Sequence, residues 1–458
     1  MDSSQSTDYV SRKTQLSIIA AALVGFSGIL SETSMNVTFT KLMSVFHLPL
    51  SSLQWITTIY LLAVAIAMTL SATLQQNVKE RQQFITSVLL FLLGTITCIV
   101  SKNFSLMIIG RALQGFSTGI AMPLMFNLII ERIPISHIGT YMGIGGLIMS
   151  LAPAFGPTYG GFMIAHFSWQ WIFILTLPIP VIALVISYFA LENTPKNKKR
   201  PFDLLAFLLL ALALSFFLLV ISSLESGSVN FFALVVFLAA LSLFIFRTLK
   251  SEQPFLDIRI LKQAPVLLGL IPFFIYQFIN LSSNFVIPNF LVQVNHVSTT
   301  LAGFVLLPGT LLGGLLAPFF GKLYDLKGPK LSLYLGNSLF AISLILLAFF
   351  YQSLSVTLMA LVYIIFTFGR NMSFNNTMAV AISQLPKDKT ADATAIFQMM
   401  QQFAGALGTA LSSVVLQLAP NMASGVKIIF SVLFILVIFI FLCFKLLFAS
   451  LQETITKK

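Results

Sequence analysis

The sequence predicts an all-α membrane protein of fourteen transmembrane helices, arranged as two six-helix bundles with a two-helix insertion between them. Three observations predict it. In 458 residues, 57% are strongly apolar, while Asp and Glu together number 14 and Lys and Arg 26. The apolar residues fall into fourteen runs of membrane-crossing length, since about 20 residues rising about 1.5 Å each traverse the hydrocarbon core. Finally, the basic residues are unevenly placed between alternate loops.

The first run, 15 to 38, follows a polar segment and shows no small-residue cleavage site, so a retained helix is expected and not a signal peptide. Runs at 53 to 75, 83 to 101, 104 to 127, 139 to 165 and 171 to 191 complete a first bundle, assigned to residues 1–192. Two runs, 204 to 224 and 230 to 249, are rich in Leu, Phe and Ala with hardly a polar residue. A helix apolar on every face belongs against lipid or in a packed core, so residues 193–264 are expected to form inner loops and a peripheral hairpin. Runs at 265 to 293, 300 to 320, 331 to 350, 354 to 378, 393 to 418 and 426 to 448 give a second bundle, residues 265–458.

With the N-terminus placed in the cytoplasm, 21 of the 26 Lys and Arg lie at inner loops and ends, "KNKKR" at 196 to 200 among them. Lys41, Lys102 and Lys427 lie outside, and Arg111 and Arg370 are within helices. That is the positive-inside pattern of a cell-membrane protein with both termini cytoplasmic. The net charge of +12 is thereby accounted for without nucleic acid. Cys98 and Cys443 both sit in apolar runs and imply neither a disulfide framework nor a metal. The four histidines, His47, His137, His166 and His296, lie in loops or at helix ends without metal spacing. No Gly-rich loop with Lys offers a phosphate cradle, so an enzyme or an ATP-driven pump is not expected.

Five motifs occur in order. They are "GRALQGFSTG" (110 to 119), "APAFGPTYGG" (152 to 161), "WQWIFILTLP" (169 to 178), "GKLYDLKGPK" (321 to 330) and "QQFAGALGTAL" (401 to 411). Together they resemble the major facilitator superfamily, specifically its 14-spanner drug/proton antiporters, along nearly the whole chain. Arg111, Gln114 and Gly115 match the motif of helix four; Gly156, Pro157, Gly160 and Gly161 match the antiporter signature of helix five; Gly321, Asp325 and Gly328 match the inner-loop gate. The sequence departs from the pattern in three places. Gln170 stands where Arg is usual, the first inner-loop motif has Ala72, Gln76 and Lys79 in place of Gly, Asp and Gly, and "SETSMNVTF" (31 to 39) lacks the usual Pro. The resemblance implies a major-facilitator fold working by alternating access, with helix five sealing the outer half of the pathway. Small residues let a helix approach its neighbour closely, and Pro157 loosens it.

Glu32 is the only acid well inside a span, and an intramembrane acid is a functional candidate by default. Glu32 and Arg111 each lie nine residues from an external lysine, Lys41 and Lys102, so both sit roughly 13 Å deep and are expected to pair as the proton-coupling couple. Span nine carries Tyr276, Asn280, Ser283, Asn284 and Ile287 at helical spacing, with Gln277 beside them. Arg370, Asn371, Asn375 and Asn376 cluster in span twelve, and Gln398 and Gln402 lie one turn apart in span thirteen. Of these, Tyr276, Asn280, Asn284, Arg370, Asn375, Gln398 and Gln402 are expected substrate contacts. Near Glu32, Met35, Trp55, Tyr60 and Met149 are expected to give an adaptable apolar wall, and these four, Asn36 and Glu32 itself are further expected substrate contacts.

The expected function is proton-coupled efflux of hydrophobic, cationic drugs or dyes by a monomer. The proton gradient is the energy source, with no cofactor, and the lipid bilayer is the setting. The alternatives are a narrower exporter of a metabolite, lipid or neutral antibiotic, and a membrane-embedded enzyme or sensor on the same scaffold.

Overall fold

The computed structural model describes residues 10–191, 201–383, 385–386 and 389–456; "KNKKR" therefore lies outside the described residues. All regular structure among them is helical. Thirteen helices are long and apolar enough to cross a membrane. A fourteenth crossing, span ten, is a pair, Thr299–Leu315 and Ala317–Tyr324, bent by 45°. The bend falls at Leu316 (φ −86°, ψ −2°), and "LLAPFF" supplies a reason: Pro318 has no N–H to give the preceding turn. Pro123, Pro153, Pro157, Pro272 and Pro288 lie inside helices that continue through them. Span five, Ile135–His166, is one unbroken helix across its two prolines.

Lipid tails are as apolar as leucine, so burial of grease does not join these helices; close packing of small residues does. Spans three (Glu80–Val100) and four (Phe104–Arg132) cross at Gly94 and Gly110. A Cβ on Gly94 would stand 2.6 Å from the carbonyl of Gly110, and one on Gly110 would stand 2.8 Å from that of Gly94. The second bundle repeats the device. Spans eleven (Pro329–Phe350) and twelve (Val356–Ile382) cross at Gly336 and Gly369, where the same two distances are 2.8 and 2.6 Å. Each crossing sets an arginine just beyond it, Arg111 and Arg370.

Spans seven (Leu204–Ser223) and eight (Phe231–Lys250) form the hairpin. Only 28% and 22% of their most apolar windows are buried, against 78% for span two (Leu50–Thr69), so they lie on the periphery. At their ends Asp203 caps span seven by accepting from the Ala206 N–H and binds Arg247 of span eight at 2.6 Å. Between the hairpin and spans nine (Ala264–Gln293) and thirteen (Asp392–Leu418) is an entirely apolar cavity of about 330 Å³, walled in part by Leu214, Phe237, Met399 and Phe403.

Candidate transport site

Span one, Arg12–Met35, brings Glu32 to the interior, 5% exposed. Around it Thr33 and Ser34 spend their hydroxyls on the carbonyls of Ile29 and Leu30. These local bonds keep the two hydroxyls on their own helix, and Glu32 Oε1 has no hydrogen-bond partner. One turn below, Gly28 lets span one press on spans two and four: a Cβ there would lie 2.0 Å from Thr118 Oγ1 and 2.7 Å from the Tyr60 hydroxyl.

Arg111 is completely buried. Its Nε donates to the Ile56 carbonyl at 3.0 Å, and its Nη1 donates to Ser31 Oγ at 2.9 Å and to Gln114 Oε1 at 2.8 Å. The guanidinium lies 4.5 Å from the centre of the Tyr60 ring, whose hydroxyl donates to Thr118. Gln114 is held in turn by donating to Thr95. The expected ion pair with Glu32 is not formed: no carboxylate among the described residues comes within ion-pair distance of Arg111. The reason is angular. Ser31 and Glu32 are neighbours on a helix and point about 100° apart, and it is Ser31 that faces span four.

The glycines of span five make contacts that admit no side chain. A Cβ on Gly156 would lie 1.9 Å from Thr33 Oγ1, and one on Gly160 would lie 2.2 Å from the Ser34 carbonyl. On the next face, a Cβ on Gly161 would lie 2.4 Å from the Thr299 carbonyl of span ten, and one on Gly303 would lie 2.1 Å from the Pro157 carbonyl. Thr299 and Thr300 donate to the Gly161 carbonyl at 3.3 and 3.2 Å. Span five is thus a seam between span one and the other bundle. Two more contacts join the bundles. Asn289 Nδ2 donates to the Asn36 carbonyl at 3.3 Å with Phe39 against Phe285, and Thr58 bonds Thr409 at 3.1 Å.

In the second bundle, spans nine and twelve are joined by two rungs. Tyr363 donates to Asn284 Oδ1 at 2.5 Å, and Arg370 Nη2 donates to Gln277 Oε1 at 2.6 Å. Arg370 Nη1 also donates to Asn371 at 2.9 Å, and the guanidinium lies 4.5 Å from the Phe374 ring centre. Gln398, Gln402 and Asn280 are half-buried. The side chains of Asn375 and Asp325 lie outside those described.

The family profile of the Major Facilitator Superfamily matches residues 21–409. The chain belongs to the major facilitator superfamily. It is accordingly a transporter and not an enzyme. Among similar proteins are the lincomycin resistance protein LmrB of Listeria monocytogenes, 33% identical over 86% of this chain and 85% of that protein, and LmrB of Bacillus subtilis, also 33% identical over 86% and 84%. The riboflavin transporter RibZ of Clostridioides difficile is 26% identical over 85% of each chain. A crystal structure of a POT family transporter with a thioalcohol conjugated peptide superposes with a TM-score of 0.71 at 14% identity, over 94% of this chain and 96% of that one, a likeness of fold.

Within this transporter, several expected substrate contacts have other employment. Trp55 donates to Ser222 of the hairpin at 3.1 Å; Tyr60 underlies Arg111; Tyr276 is fully buried and donates to Asn337 at 2.8 Å, which itself donates to Val437. Met35 is fully buried, and Met149 packs on Gly25. In the second inner-loop motif, Gly328 takes φ +79°, which explains glycine there, whereas a Cβ on Gly321 would meet nothing within 4 Å. The degenerate first motif is tied within its own bundle: Gln75 donates to Glu131 at 2.8 Å, and Arg132 lies 4.0 Å from Glu80. Sequence reasoning missed Ser31, Thr58, Thr409 and Tyr363. Their only signal is a hydroxyl in an apolar run, which most often bonds its own helix backbone.

Proposed function

We propose that this transporter exports hydrophobic, cationic drugs or dyes in exchange for protons, as a monomer in the cell membrane with both termini cytoplasmic. Glu32 carries the proposal. It is a buried acid beside the cross-bundle seal, it has an oxygen without a partner, and it makes no ion pair with Arg111. An unpaired carboxylate inside a membrane is costly, so it favours holding either a proton or a cation. Competition between the two at one group makes exchange follow from binding. Alternating access would open the contacts of span five with span ten and of Asn36 with Asn289, exposing Glu32 to the proton-rich side. The drug-resistance names of the relatives support the substrate class; the riboflavin transporter among them favours, as a second possibility, a narrower exporter using the amides of spans nine and thirteen.

The test is dye efflux in energised inside-out vesicles. Glu32→Gln keeps shape and polarity but does not ionise, so gradient-driven efflux is lost while the protein remains inserted; Glu32→Asp retains part. Wild-type efflux by the Gln variant sinks the proposal.

A further inference from the structure

We infer that the preferred substrates are zwitterionic amphiphiles, with Arg370 holding a carboxylate or phosphate group while Glu32 takes the cationic end. This rests on the export function proposed above. Arg370 is half-buried in the middle of span twelve, and every group that touches its guanidinium is neutral: Gln277, Asn371 and the Phe374 ring, itself stacked on Phe273 at 4.1 Å. No carboxylate among the described residues is within ion-pair distance. Of the five N–H groups a guanidinium carries, two are engaged, and Nε is buried without a partner.

A tether between spans nine and twelve does not explain the charge. Two turns away, Tyr363 and Asn284 tie the same helices with neutral groups. A cation inside a membrane costs about 2.5–3.5 kcal/mol even by the gentler scales, a cost that a neutral tether such as that of Tyr363 and Asn284 avoids. What remains for the charge is an anion. The planar fork of a guanidinium fits the two oxygens of a carboxylate or phosphate, and the ring beneath fixes its plane.

Glu32 in span one and Arg370 in span twelve thus stand in opposite bundles, each beyond ion-pair distance of any opposite charge among the described residues. A simple cation satisfies Glu32 and leaves Arg370 bare. A ligand with both signs satisfies both and must bridge the bundles to do so.

The test uses rhodamine B, a delocalised cation bearing a carboxylate, and its ethyl ester rhodamine 3B, the same cation without it. Binding of each to the purified full-length protein is measured by fluorescence anisotropy. The wild type is expected to bind rhodamine B at least about tenfold more tightly, the scale of one charge-assisted hydrogen bond. Arg370→Gln abolishes that preference while keeping ester affinity, and Arg370→Lys retains part of it. Equal affinities in the wild type, binding of neither dye, or an undiminished preference in a folded Arg370→Gln overturns the inference. The wild-type comparison stands even where the variant does not fold. Gradient-driven movement of the same dyes in proteoliposomes separates the two claims. A binding preference without movement removes the export function and keeps the Arg370 site; movement without preference does the reverse.

Discussion

Arg111 and Arg370 follow a close glycine crossing in opposite bundles, both lie 4.5 Å from the centre of an aromatic ring, both keep one buried nitrogen without a partner, and they differ in burial, depth and the number of helices they join. Arg111 begins seven residues into span four; Arg370 lies fourteen into span twelve, roughly 10 Å further along its helix. Arg111 is fully enclosed and joins three helices through a backbone carbonyl, a serine and a glutamine. Arg370 reaches one neighbouring helix and its own next residue, and it is half-buried. The same dipeptide serves as an internal bracket in one bundle and a presented charge in the other. Context, set by which helices the glycines bring near, makes the difference.

The largest effect expected on this contrast is at Arg111. Arg111→Ala leaves Gln114 Oε1 and Ser31 Oγ without their donor and strips the second bond from the helical Ile56 carbonyl, and should cost about 3 kcal/mol in stability. Arg370→Gln should cost less than about 1 kcal/mol, since it gives up one interhelical hydrogen bond and at the same time removes a cation from the membrane interior. Melting of the purified variants in detergent ranks them, and the reverse order would erase the distinction drawn here.

A parallel contrast exists among motif glycines. Gly160→Leu puts a side chain where the Ser34 carbonyl stands 2.2 Å away, so transport should fall at least about a hundredfold, or the membrane should leak protons. Gly321→Ala meets open space and should leave transport within about twofold of wild type. Vesicle efflux and passive proton leak measured side by side check both. Smaller still, Tyr363→Phe removes one interhelical hydrogen bond and should lower stability by about 0.6 kcal/mol, the mean for such bonds in membranes.

The smallest effect concerns the hairpin's surface clasp. The hydrogen bond from Arg247 holds the Asp203 carboxyl below the usual aspartate range. A depressed carboxyl stabilises the fold above its unfolded pKa, and that contribution disappears as pH falls through the folded value. The clasp is exposed, so Asp203→Asn should show slightly lower stability than wild type at pH 7 and converge with it in acid. A stability gap that widens in acid would contradict the assignment.

How far the fold was legible in sequence depended on the physics of each signal. Thirteen apolar runs became single helices because length and hydropathy suffice inside a bilayer; the tenth bent at Leu316, and "LLAPFF" already held the reason. Glu32 was visible as a lone acid in a long apolar run. Its expected partner was not, because counting residues gives depth but not direction, and Ser31 took the contact instead. The partners of Arg111 are a carbonyl and neutral side chains on three helices, which no local spacing announces. Gly156 and Gly160 were legible as a close-packing face, whereas only the structure names Thr33 and Ser34 as what they press against.

The central claim is that one group, Glu32, exchanges a proton for a substrate cation. Proton release on adding a saturating monovalent lipophilic dye cation to purified protein, at fixed pH in weak buffer, tests it most directly. Release from the wild type is expected to grow as the starting pH is lowered toward full protonation of Glu32, with little release from Glu32→Gln that still binds dye. Release of equal size from both proteins would place the exchanged proton elsewhere and leave Glu32 a structural residue.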